Sequence, residues 1–314
     1  MAFTRLDILL LFLVAAVPLS LNLEDMEIGG LGIYLPTEPL LAGLLLLFIL
    51  RSMRGFPVDQ RLLRHPLTYW IAGSLVWILL TAFVSEYPLV SFKFLIARLW
   101  FIVGFFFFCG HLFLHTPEFR HQFIFAYAVP LCIIIVYTLI RHAGFGFEKD
   151  AGHWVMNPFY KDHTSYGAVL AMVIPPVLAL LTWRRFSAFL RLALLGVLAI
   201  LITGMIFSYT RAAWVSLVAV GALFVIMKLG VRLRTLISAM VLVAGFLWVA
   251  QDALLIQLQK NEQDSSDNLT EHVESISNVS SDASNLERLN RWNCAIAMFQ
   301  ERPLIGWGPG TFQF

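Results

Sequence analysis

Of the 314 residues, 59% are hydrophobic and 13% are charged, about half the charged share of an ordinary soluble domain. That excludes a single aqueous core as the home for so much apolar surface. The net charge of +2 comes with no basic stripe, which excludes nucleic acid as a partner. Cys109, Cys132 and Cys294 are too scattered for a disulfide framework or a metal site.

Nine apolar runs are long enough to cross a bilayer, which takes about 20 residues of helix. They cover roughly 7–22, 33–50, 67–84, 89–113, 119–140, 164–183, 188–207, 212–228 and 232–250. The expected fold is an all-α polytopic membrane protein with about nine transmembrane helices. The first run follows Arg5, as a signal peptide would, but Pro18-Leu19-Ser20-Leu21 offers no A-x-A cleavage site. A retained helix is therefore expected. Pro175-Pro176 is expected to interrupt the sixth helix.

Basic residues alternate between connections. Arg51, Arg54, Arg61 and Arg64 lie between runs two and three, Arg184 and Arg185 between six and seven, and Lys228, Arg232 and Arg234 between eight and nine. Glu24, Asp25, Glu27 and Glu86 mark connections on the other side. The positive-inside rule then puts the N-terminus in the cytoplasm. The loop 141–163, the junction 208–211 and everything after residue 251 fall outside.

Residues 261–283 hold six acidic groups and no Lys or Arg among Ser and Asn, which predicts a solvated loop. Ser284 with Glu287 is a capping box. Leu289, Trp292, Ile296 and Phe299 then share a face, and Pro303 follows. This predicts an amphipathic helix over 285–300. Gly306, Gly308 and Gly310 follow no strand and are interrupted by Pro309, so they mark a close backbone approach rather than a dinucleotide loop.

Several polar residues could carry chemistry. Arg211 opens the eighth run, where it either snorkels to headgroups or clamps a diphosphate or carboxylate with its two-pronged fork. Arg98 lies inside the fourth run, where a central Arg costs about 2.5–3.5 kcal/mol and needs a partner or a wet cavity. Arg98 and Arg211 are expected to share such a cavity, with Arg288 or Arg291 at its rim. Lys93 lies nearer the surface of the same run. Asp162-His163 leads into the sixth run; His163 is either a solvated helix-start residue or a base at an anion-favouring helix N-terminus. His142 and His153 read as loop residues, and none of these histidines has metal-ligand spacing.

Two patches resemble one family. Ser208-Tyr209-Thr210-Arg211-Ala212-Ala213-Trp214 is similar to a signature of the bacterial O-antigen ligase and O-antigen polymerase family. Arg288-Leu289-Asn290-Arg291-Trp292, followed by Pro303-Leu304-Ile305-Gly306-Trp307-Gly308-Pro309-Gly310, resembles a second patch of it. The resemblance implies glycosyl transfer at the periplasmic face of a bacterial inner membrane, from an undecaprenyl-diphosphate-linked glycan to a lipid A core or to another lipid-linked repeat. It implies no metal and no cofactor. It divides the chain into residues 1–187, carrying six helices, and 188–314, a ligase-like core with the start of a large periplasmic loop. It assigns Arg211, Arg98, Arg288 and Arg291 to the diphosphate. The family's acceptor-activating His is expected beyond Phe314, the chain being read as a C-terminally truncated copy, with His163 the substitute within it. The competing reading is a lipid-linked oligosaccharide flippase or other membrane transporter, which would also use Arg98 and an outer cation.

Overall fold

The computed structural model describes residues 5–22, 33–55, 58–183, 186–231, scattered positions from 234 to 245, and 283–312. The ninth run and the acidic loop lie almost wholly outside the described residues, as do Arg184, Arg185 and the side chains of Ser284, Glu287 and Arg288.

The described chain is a set of helices. In order they are α1 (Leu6–Ala16), α2 (Thr37–Met53), the single turn α3 (Gln60–Leu63), α4 (Pro66–Phe83), α5 (Pro88–His115), α6 (Phe119–Ala143), α7 (His163–Leu181), α8 (Ala188–Ile206), α9 (Arg211–Lys228) and α10 (Ala283–Glu301). Within α5, Ile102–Phe108 winds as a π-helix. Among the described residues, six helices are long and apolar enough to span: α4, α5, α6, α7, α8 and α9. With many apolar side chains left exposed, among them Trp70, Leu89, Phe189 and Val218, such helices suit lipid as solvent.

Two expectations about the early helices change. The first helix stops at Ala16, 11 residues long, rather than running to residue 22. The Ser20 hydroxyl donates at 3.0 Å to the Ala16 carbonyl, which also accepts from the Leu19 amide, and it bonds the Thr37 hydroxyl as well. Beyond this cap, Leu21–Asn22 pairs antiparallel with Tyr34–Leu35, a ribbon too small to alter the all-α class. The second helix starts only at Thr37, after Pro36, and is 17 residues long. The other boundary corrections are small, since α5, α6, α7, α8 and α9 each begin within one residue of the expected start.

Pro175 and Pro176 do not interrupt α7, which runs unbroken from His163 to Leu181. In a bilayer, proline is tolerated inside a helix that packs among neighbours. α8 and α6 pack closely on α7 near its start: a Cβ on Gly204 of α8 would sit 2.9 Å from both Ile135 Cγ2 of α6 and the Tyr166 hydroxyl of α7. Small residues let membrane helices approach this closely. The three helices enclose a core of Leu131, Ile135, Tyr166, Leu170, Val177, Leu201 and Met205. A second core joins α1, α2, α5 and α6 through Leu10, Leu13, Leu41, Leu44, Phe108 and Phe119.

By its contacts the chain forms two compact units. One comprises Met1–Val76 with Lys93–Ala222, and the other Trp77–Phe92 with Leu223–Phe314. The expected amphipathic helix is present in the second unit as α10, with Trp292, Ile296 and Phe299 exposed along one side.

Candidate functional site

In the first unit, one end is built from the loop 144–162, the start of α7 and the junction between α8 and α9. The loop is anchored by Arg141, in the last turn of α6. Its Nη1 donates to the Val155 carbonyl at 3.1 Å, to the Tyr137 hydroxyl at 3.0 Å and to the Asn157 carbonyl. His142 is fully buried, with Nε2 2.8 Å from the Glu148 carbonyl and its ring edge-on to Phe147, Phe207 and Tyr209. His142 is thus a packing residue at the root of the loop.

The four residues Ser208 to Arg211 divide their labour. Ser208 is buried and its hydroxyl donates to the Met205 carbonyl at 2.8 Å, closing the end of α8. Tyr209 takes a positive φ of 49°, and its hydroxyl donates to the Phe147 carbonyl at 2.9 Å. Its ring lies against Gly152, where a Cβ would meet Cδ2 at 2.6 Å. Thr210 is buried, and its hydroxyl donates to the His163 carbonyl at 2.8 Å. Gly167, one turn into α7, leaves room for it: a Cβ there would meet the Thr210 side chain at 2.7 Å. Arg211, the first residue of α9, is exposed and makes no hydrogen bond or ion pair among the described residues. Three residues of the patch therefore build the junction, and the fourth presents a cation from it.

His163 opens α7, directly after Asp162, whose carboxylate accepts from the Ser165 amide at 2.7 Å. The His163 ring lies 4.4 Å, centroid to centroid, from that of His153 in the loop. The structure thus brings together His153, His163 and the Thr210–Arg211 step, and the starts of α7 and α9 both face this end. A helix start presents free N–H groups and a partial positive charge, so the end suits an anion. His153 was expected to be a loop residue only; Arg141 and Tyr209 carry no expectation in the sequence, although Arg141 in a last helical turn is the usual place for a cation.

Arg98 is not brought into this cluster. It is exposed on α5, with no hydrogen bond, ion pair or ring contact among the described residues, and no described cavity is lined by it or by Arg211. The expected shared cavity has no support in these contacts. Lys93, on the same helix, lies within electrostatic reach of Glu38.

In the second unit, the segment after α10 docks on the short turn between α4 and α5. Arg302 Nη2 donates to Glu86 Oε1 at 2.6 Å while its guanidinium stacks 4.1 Å from the Trp307 ring centroid. The Glu86 amide donates to the Trp307 carbonyl at 3.2 Å, and the Ser91 hydroxyl to the Pro309 carbonyl at 2.9 Å. Gly308, at φ 112°, is where the backbones touch: a Cβ would stand 2.1 Å from Ser85 Oγ. The close approach expected for these glycines is real at Gly308. Gly306 and Gly310 also hold positive φ, at 69° and 80°. Arg291 is exposed on α10, and the Arg288 side chain lies outside the described residues.

Comparison with curated proteins and with solved structures gives no match. The family model described as O-antigen ligase matches residues 196–314, a span holding Arg211, α9, α10 and the docked glycine segment. That match supports the resemblance to the O-antigen ligase and polymerase family carried by the two sequence patches.

Proposed function

We propose that the protein transfers a glycan from an undecaprenyl-diphosphate carrier to an acceptor hydroxyl at the periplasmic face of a bacterial inner membrane, with its N-terminus in the cytoplasm. The acceptor is a sugar of the lipid A core in the ligase form of the reaction, or another lipid-linked repeat in the polymerase form. Residues 188–314 carry the transfer core. The acceptor oxygen attacks the anomeric carbon, the bond to the diphosphate breaks, and the leaving group departs with the electron pair. The acceptor proton passes to a neighbouring base. Neither metal nor nucleotide is required for these steps.

The observation that carries the reading is the 2.8 Å bond from the Thr210 hydroxyl to the His163 carbonyl. It ties an exposed, permanently charged Arg211 to a helix start whose His163 lies beside the His153 ring of the loop. A guanidinium holds diphosphate oxygens through parallel hydrogen bonds and offsets charge that develops as the group leaves. An imidazole near neutrality accepts the hydroxyl proton, and His163 is the base this end offers. Arg98, Arg288 and Arg291 are assigned as further contacts to the carrier. The built segment 302–311 supports an enzyme over a flippase, which needs no such element outside the membrane.

The test replaces Arg211 by Lys, and separately by Ala, at the native locus. Surface glycan is read from lipopolysaccharide ladders, and membrane level from immunoblots. Lysine keeps the charge but not the fork. Both variants should insert normally and lose transfer by about 10²–10³-fold, the cost of removing one charge-stabilising donor. Wild-type display from Arg211→Lys would refute the clamp.

A further inference from the structure

At the other end of α6 from the His153–His163 pair, the first unit holds a second cluster. α6 is 25 residues, about 37 Å of helix, and none of the proposed transfer chemistry uses this cluster. His111 and His115 lie four residues apart, on one face of the last turns of α5, with ring centroids 4.3 Å apart. Asp59 arrives from the connection after α2. One ligand atom from each of Asp59, His111 and His115 lies within 4.8 Å of the other two.

The hydrogen bonding sorts which atoms would ligate. Asp59 Oδ1 is occupied, accepting from the Arg61 amide at 2.8 Å as the cap of α3. Oδ2 instead faces His115 Nε2 at 3.3 Å. His115 Nδ1 sits 2.9 Å from the His111 carbonyl, so it carries the proton. Nε2 is then the nitrogen with the lone pair, which here accepts from Arg61 Nη2 at 3.4 Å. The Nδ1 bond to a backbone carbonyl is the outer-sphere arrangement that orients metal-ligating histidines.

One of the three ligand spacings already fits. Metal–ligand bonds of about 2.0–2.1 Å in a tetrahedron put two ligand atoms about 3.3 Å apart, the separation between Asp59 Oδ2 and His115 Nε2. The frame is packed: Leu62 of α3 lies against Gly110, where a Cβ would meet its Cδ2 at 3.1 Å. Arg61 stands closest against a cation, with Nη2 3.4 Å from His115 Nε2 and Nε 3.5 Å from Asp59 Oδ1, and the charge of Arg51 also reaches His111. The Arg61 side chain is 68% exposed, and it can turn into water.

We propose that Asp59, His111 and His115 bind a divalent transition metal ion, zinc foremost, with a fourth position open to water. Two imidazoles and a carboxylate with one open position are a known zinc donor set. The ion cross-links the α2–α4 connection to the end of α5.

The test uses the whole chain in detergent, purified through a tag other than polyhistidine. Cobalt(II) is titrated and read by the visible absorption of a tetrahedral site, and zinc is then added as competitor. Wild type should take up one equivalent of cobalt, displaced by zinc. His111→Ala and His115→Ala should each weaken binding by more than the about 10–100-fold that loss of an outer-sphere partner costs. Asp59→Asn should do the same while still capping α3, so it decides the matter if a histidine variant fails to fold. Arg61→Ala should tighten binding. The proposal is overturned if wild type shows no saturable one-to-one uptake, or if Asp59→Asn binds as wild type does. Binding that survives in His111→Ala/His115→Ala but is lost in His153→Ala/His163→Ala also overturns it.

Discussion

Replacing Gly308 by Ala should detach the 302–311 segment from the α4–α5 turn, and the structure says by how much. Two costs apply. The backbone at φ 112° is a region that side chains avoid, worth about 1–3 kcal/mol. The new methyl would also stand 2.1 Å from Ser85 Oγ and 2.5 Å from its Cβ, which the backbones must part to relieve. Parting breaks the Glu86–Trp307 and Ser91–Pro309 hydrogen bonds, each worth about 0.5–1.5 kcal/mol net. The sum is roughly 2–6 kcal/mol, or about 30-fold and upward in the opening equilibrium at 1.4 kcal/mol per factor of ten. Gly306→Ala is the control. Its φ is 69° with nothing within 4 Å of the new methyl, so only the backbone cost applies. Hydrogen exchange of peptides covering Glu86 reads the opening directly, because that amide is bonded to Trp307 only when the segment is docked. Gly308→Ala should accelerate exchange well beyond Gly306→Ala. Adding Ser85→Gly to Gly308→Ala should recover most of the contact part of the loss, the Ser91 Oγ at 2.9 Å from the new methyl remaining, and leave the backbone part. Equal acceleration in the two single variants would refute the close-contact account.

Gly167→Ala should push Thr210 away from His163, since a Cβ there would meet the Thr210 side chain at 2.7 Å. Glycan display should fall while membrane level holds; unchanged display would detach the Thr210–His163 bond from function. Reporter fusions at residues 58, 187 and 230 should read cytoplasmic, and those at 30, 150 and 270 periplasmic. A periplasmic signal at 187 would reverse the proposed orientation.

Hydropathy located the long helices because lipid imposes a single requirement, an unbroken apolar run, that the sequence displays openly. It overshot α1 because a run of apolar residues says nothing of a chain turning at Pro18 and closing its last carbonyl with Ser20. It misjudged α7 because proline is costly in an isolated helix but tolerated between close neighbours, and the sequence does not name the helices that pack on α7. Arg211 was legible by type and position. That Ser208, Tyr209 and Thr210 serve the junction was not, since each of their partners lies outside the patch: Met205, Phe147 and His163. Arg98 shows the limit of cost arguments. Its expense in hydrocarbon was clear, but the direction it faces depends on neighbours the sequence does not name.

The unbroken course of α7 through two prolines leaves two of its carbonyls without their usual donors. Residues 175 and 176 have no amide hydrogen, so the oxygens of Ala171 and Met172 lose the bonds an ordinary helix would supply. Met172 and Pro176 line an apolar crevice with Val14, Phe105 and Phe123, a setting poor in replacement donors. The middle of α7 is therefore its most compliant point, lacking two of the rungs that stiffen the turns on either side. Bending there would swing the half that begins at His163. Because Thr210 grips the His163 carbonyl, such a swing would draw the start of α9 along with it, so the imidazole and the guanidinium would travel together rather than apart.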